Sequence, residues 1–193
     1  LFQTLNLKEV SMPDVIVYLD VEEPLAKQHR EFSERYAREV GVRIPVLKLP
    51  PHITVIRQRD YPERDCALLS TYLIGSLRRN RIQTFVASVL PAAEFPIEGK
   101  QETVLHLPLE NWQLRSHIAS LHRFFCEELG WDPPVYEGKS PHITLIDNLP
   151  AQNRDSALVA AGIIDWLPVT AFRSLSIATK SGAGWETMNK FQF

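Results

Sequence analysis

The chain has 193 residues, 45% of them hydrophobic and 23% charged, with a net charge of −2. That is the composition of an ordinary globular protein, long enough for one compact domain or two closely packed lobes. It excludes a global basic field that could hold long nucleic acid non-specifically, so any anionic ligand must be met by a local pocket.

The β-branched and aromatic run at 15–19 predicts a strand. Pro24 then stands where the first turn of a helix tolerates it, Leu25, Phe32, Tyr36 and Val40 follow near helical spacing, and Gly41 supplies a stop. The Pro50-Pro51 pair breaks regularity before a strand at 53–57, and a second helix is expected over 62–79, carrying Ala67, Leu68, Tyr72 and Leu77. Residues 82–90 and 94–96 read as strand and turn. The cycle then repeats with a strand at 103–107 and a helix at 112–129. That helix places Leu114, Ile118, Leu121 and Phe125 on one face and is ended by Gly130. A Pro133-Pro134 loop leads to a strand at 143–146 and a short helix at 155–161. The tail reads as a strand at 173–179, a turn at 182–184 and a last strand at 185–193. This order implies an α+β fold with largely antiparallel sheets.

Two identical tetrapeptides punctuate the order: Pro-His-Ile-Thr begins at Pro51 and again at Pro141, with the histidines 90 residues apart. The likeness extends further at the same offset, matching Ile56 with Ile146, Arg64 with Arg154, Asp65 with Asp155, Ala67 with Ala157 and Leu68 with Leu158. After one inserted residue, Glu39, Gly41, Pro45 and Val46 meet Glu128, Gly130, Pro134 and Val135. The pattern is an internal duplication of roughly 90 residues, the size of two similar lobes rather than a solenoid.

On a strand, alternate side chains share a face, so His52 points with Thr54 and His142 with Thr144, while Ile53 and Ile143 point the other way. Two such units face to face gather two imidazoles and two hydroxyls. An imidazole titrating near 6.5 can serve as base when neutral and as acid when protonated, and threonine hydroxyls can donate to phosphoryl oxygens. That set suits phosphodiester hydrolysis without a metal. Two imidazoles alone make a thin metal site, and no carboxylate or thiolate repeats with them at ligand spacing.

With these residues in view, the chain resembles the 2H phosphoesterase superfamily, whose mark is a pair of His-x-Thr/Ser motifs in a duplicated fold. The resemblance runs from the strand at 15–19 to the tail and implies a pseudo-twofold bilobal fold. Its antiparallel sheets would line a central cleft with helices outside. It implies one domain over 1–193, made of lobes at about 14–90 and 94–193 with some strands exchanged. His52 and His142 match the catalytic histidines, and Thr54 and Thr144 the phosphate-binding hydroxyls. The implied activity is hydrolysis of a 2′,3′-cyclic phosphate or a 2′-5′ phosphodiester on an RNA terminus or nucleotide, with 2′-5′ ligation as its reverse. No cofactor is implied. Alternatives are a phosphodiesterase for small cyclic nucleotides, an RNA 3′-end exonuclease, or a non-catalytic module that binds nucleotides or RNA ends.

Candidates for further substrate contact are Tyr18 and His106 on the first strand of each half, with core packing as the alternative, and Arg57 after the first motif and Lys139 before the second, with solvated loop cations as the alternative. Trp131 and Tyr136, in the loop leading to the second motif, are candidates of which at least one would stack on a nucleobase. Arg64 and Arg154 read as structural caps or ion pairs at helix starts, and His29, His117 and His122 as surface or packing residues on helices. Cys66 and Cys126 lack metal-type spacing and read as buried thiols of a reducing, cytoplasmic setting. No run of 18 apolar residues is present, so no membrane partner is expected, and the protein is read as a monomer.

Overall fold

A computed structural model of the chain describes residues 12–40, 49–134, 140–182 and 184–193. In chain order the elements are β1 (Asp14–Asp20), α1 (Leu25–Val40), β2 (His52–Gln58), α2 (Glu63–Arg79), β3 (Phe85–Val89), β4 (Ala93–Pro96) and β5 (Thr103–Glu110). They continue with α3 (Trp112–Arg123), β6 (His142–Leu149), α4 (Arg154–Gly162), β7 (Val169–Phe172), β8 (Ser174–Ser181) and β9 (Gly184–Gln192). The strands form two antiparallel sheets. One has the order β2-β1-β8-β9, and the other β4-β5-β3-β7, with β6 paired to β5. Strands from the end of the chain thus complete the sheet begun by β1 and β2, while β3 joins the sheet of the second motif. The fold is α+β, with two antiparallel sheets and helices packed on them, as the sequence implies.

Both motif strands are edge strands among the described residues: β2 pairs with β1 and β6 with β5. Each carries a bulge directly after its motif. Val17 pairs with Ile56 and Tyr18 with Thr54, which passes over Val55. Leu105 pairs with Ile146 and His106 with Thr144, which passes over Leu145. An extra residue interrupts the alternation of faces. Ile53 and Val55 are therefore buried together with their neighbour Ile56, and Ile143 and Leu145 together with Ile146, while both His-Thr pairs stay half-buried on the opposite face.

One apolar core runs through both sheets, joining Val15, Val17 and Leu19 of β1 with Leu69 and Leu73 of α2, Leu105 and Leu107 of β5, Leu114 of α3 and Phe172 of β7. A small second cluster of Ile16, Tyr18, Leu49 and Ala178, with Trp185 against it, covers part of the other face of the first sheet. The helices cross over: α1 packs against β6 and α3 against β2.

The structure departs from the sequence reading at three places. The helix expected over 112–129 is α-helical only to Arg123 and continues as a π-helical turn, Phe124–Glu128. The wider turn admits one extra residue, and both adjacent phenylalanines, Phe124 and Phe125, are buried. Gly130 ends this segment at φ +68°, a conformation that favours glycine, while Gly41 lies outside the described residues. Strand β5 runs past Pro108, which pairs with His142 and offers its carbonyl to the Leu90 amide at 2.9 Å. Strand β7 adds four residues in a stretch to which the sequence assigns no element, paired with β3.

Leu105 is fully buried on β5, whereas Leu68 on α2 is 50% exposed. Leu105→Ala should cost about 2–5 kcal/mol of unfolding free energy and Leu68→Ala no more than about 0.5 kcal/mol. Urea denaturation followed by circular dichroism measures both. Equal losses would contradict this packing.

Candidate active site

Each motif histidine is pinned by the residue two before it. His52 Nδ1 lies 2.9 Å from the Pro50 carbonyl and His142 Nδ1 lies 3.0 Å from the Ser140 carbonyl. A carbonyl only accepts, so Nδ1–H donates and the neutral ring carries its lone pair on Nε2. The intervening residue is proline in both copies, and it brings no N–H of its own to compete for that carbonyl. The same local device thus sets the same tautomer twice.

The neighbouring strand places an aromatic ring beside each histidine. Tyr18 stands opposite Thr54 with its ring 5.0 Å from that of His52, and His106 stands opposite Thr144 with its ring 5.1 Å from that of His142. Tyr18 and His106 thus occupy matching places on β1 and β5, but both are buried, a correction to the expectation that they touch substrate: they pack against the motif histidines. Burial lowers the pKa of His52. The hydrogen bond to Pro50 opposes this, His29 lowers it further, Asp20 raises it, and the like charge of His142 lowers it again. His52 and His142 are close enough for one to feel the charge of the other.

Beyond that common frame the two walls differ. Beside His52 lies buried Asp20, whose Oδ2 accepts from Ser174 Oγ at 2.7 Å and Ser176 Oγ at 2.9 Å, with Lys190 Nζ at 3.5 Å. The Tyr18 hydroxyl shares a 3.0 Å hydrogen bond with Thr187 Oγ1, and burial raises its pKa above the usual tyrosine value. Beside His142 lie Phe95, with its ring 5.1 Å away, and His106, against which Phe95 also packs at 4.8 Å. One wall is a polar network and the other an aromatic pair.

The remaining expected contacts fare differently. Trp131 is a correction: it is buried against Phe125, at 4.6 Å between rings, and Tyr61, at 5.2 Å, so it belongs to the core and has no face to offer a base. The Arg57 guanidinium bonds the Asp14 carboxylate and lies over the Trp185 ring at 5.3 Å. Burial opposes ionisation of Asp14, but Arg57, with the Asp60 amide and Lys180 beside it, holds the carboxyl below its usual pKa. Tyr136 and Lys139 lie outside the described residues. Arg154 makes an ion pair with Glu94.

His29 and His122 also need correction, because both reach across the molecule instead of merely filling space. His29 Nε2 on α1 lies 2.7 Å from the Thr144 carbonyl of β6, and His122 Nε2 on α3 lies 2.5 Å from the Val55 carbonyl of β2. The sequence carried no signal for them, nor for Phe95 or Asp20. Only Ser174 and Ser176, polar residues alternating with apolar ones in a strand, hinted at a polar face.

No protein-family model matches the sequence, and no curated protein matches it significantly. Solved structures do. Escherichia coli LigT in apo form is 15% identical and aligns with a TM-score of 0.62 over 94% of this chain and 98% of its own. TT0787 of Thermus thermophilus is 19% identical, with a TM-score of 0.58 over 93% and 97%. Usb1 of Kluyveromyces marxianus is 12% identical, with a TM-score of 0.52 over 90% and 96%. LigT has also been solved with 3′-AMP, phosphate, ATP and NADP+. At these identities the likeness is one of fold. The chain therefore has the fold of LigT and Usb1, the 2H phosphoesterase-like fold to which its paired His-x-Thr motifs point.

Proposed function

We propose that the protein is a 2H phosphoesterase, a metal-independent hydrolase of a 2′,3′-cyclic phosphate or 2′-5′ phosphodiester on a nucleotide or RNA terminus. The observation that carries this reading is the doubled unit itself. Two edge strands each present a half-buried histidine with Nδ1 anchored on a backbone carbonyl and a threonine two residues on. A phosphate-binding module needs cations or amide donors, not two imidazoles preset in one tautomer. The nucleotides held by LigT, a protein of the same fold, support a nucleotide ligand.

In hydrolysis of a 2′,3′-cyclic phosphate, one neutral Nε2 takes a proton from water as the water oxygen bonds to phosphorus. The bond from phosphorus to one ribose oxygen breaks, and the other histidine gives that oxygen its proton. Thr54 and Thr144 donate to the non-bridging oxygens, where charge grows. Burial keeps His52 neutral to lower pH than an ordinary histidine, the state a base requires. A depressed pKa suits His52 to the role of base, which leaves the role of acid to His142.

With a chelator present, His52→Ala and His142→Ala should each lower kcat/KM on 2′,3′-cyclic AMP, a 2′-5′ dinucleotide or an RNA with a cyclic-phosphate end by about 10²–10⁴-fold. Thr54→Val and Thr144→Val should each lower it by about 10²-fold. Turnover that survives in both histidine variants would sink the mechanism. Tight binding without turnover in the native protein would instead make it a binding module.

The pH profile of kcat/KM should be bell-shaped. Activity requires neutral His52, whose pKa is depressed, so the acid limb should fall off below about 6.5 rather than at it. The alkaline limb should follow loss of the proton from the histidine that serves as acid. A profile that rises continuously toward alkaline pH would exclude a protonated acid.

A further inference from the structure

An edge strand leaves one side of its backbone without a β partner, and a bulge loosens the ladder on the other. Both weaknesses fall on the residues that carry the hydroxyls meant for phosphate, since the bulges at Val55 and Leu145 directly follow Thr54 and Thr144. At each weak point a helix from the opposite half of the chain brings one imidazole. His29 of α1 meets the carbonyl of Thr144 itself at 2.7 Å, and His122 of α3 meets the carbonyl of Val55, joined to Thr54 by one peptide bond, at 2.5 Å. Carbonyls cannot donate, so both rings hold their proton on Nε2. Nδ1 of His29 is buried without a hydrogen-bond partner among the described residues, which leaves the Thr144 carbonyl as the one hydrogen bond that orients the ring.

From this geometry we infer that His29 and His122 are positioning residues: each clamps the bulge of the opposite half and so fixes where a phosphate-binding threonine stands. The role rests on the phosphodiesterase reading above and deepens it. Neither histidine touches the reacting atoms. His29 acts through the peptide that follows Thr144 and His122 through the second peptide after Thr54, between Val55 and Ile56, and a shift of about 1 Å in such a group can cost on the order of 10²-fold in rate. The two clamps are crossed, so each half of the chain sets the geometry of the other half's hydroxyl. They are also not copies. The offset that aligns Glu39 with Glu128 sets His29 against Ile118 and His122 against Ser33.

The crossed arrangement gives a test that mere structural support would not pass. His29→Phe should lower kcat on 2′,3′-cyclic AMP by about 10-fold with KM changed less than about twofold, and His29→Gln, which keeps an N–H donor, should recover most of the loss. In a Thr144→Val background the effect of His29→Phe should shrink to less than about twofold, while in a Thr54→Val background it should persist in full. His122→Phe should show the reverse pairing. His29→Leu and His122→Leu replace the phenylalanine variants if those do not fold. Equal losses in both backgrounds, or a lowered Tm with unchanged kcat, would overturn the inference. If the native protein proves inactive, the phosphodiesterase reading falls separately, and the same cycle is read from NMR shifts induced by inorganic phosphate. Loss of the phosphate response at Thr144 but not Thr54 in His29→Phe would then support positioning, and equal loss at both, or no response in the native protein, would overturn it.

Discussion

A strand gives its two faces alternate residues, a rule that would send Ile53 and Val55 into the core but turn Ile56 toward the cleft. The sequence asks for all three to be buried, and the second copy asks the same of Ile143, Leu145 and Ile146. The bulges at Val55 and Leu145 reconcile burial with pairing, and much of the site follows from that. They let an apolar run anchor each motif strand in the core while the His-Thr pair stays on the other face. They also leave backbone carbonyls to be satisfied by groups outside the sheet, which brings α1 and α3 into the architecture of the site.

The parts of this arrangement that were legible in the sequence are those that local chemistry dictates. Alternation of His52 and Thr54 about Ile53 announces a shared face, and the prolines before each histidine announce a break just ahead of a strand. Repetition at a fixed offset turned two short matches into a statement about the fold. Helices α1 and α2 lie close to where their apolar spacing placed them. The two antiparallel sheets also follow from the order of elements.

What was not legible depends on contacts between distant residues. Trp131 sits in a loop rich in proline, where an exposed aromatic is a fair reading, yet Phe125 and Tyr61 enclose it. The π-helical turn leaves the apolar periodicity of residues 112–129 looking helical, and only the packing of two consecutive phenylalanines selects the wider turn. Strand β7 has four residues, too few to show alternation, and its pairing with β3 is what defines it. His29 and His122 fall on the helix faces their spacing gives them, but their partners lie 115 and 67 residues away.

The unlike walls of the cleft bear on how a ligand can be read. Two perfect copies of a half-site would accept a bound molecule in either of two opposite directions, with each histidine meeting each end of the scissile linkage equally often. Here Asp20, its two serines and Lys190 stand on one side, and Phe95 with His106 on the other. A ligand whose two ends differ in polarity would meet the two sides differently. The cleft thus has a heading: two walls that share a motif but differ in chemistry give it a front and a back.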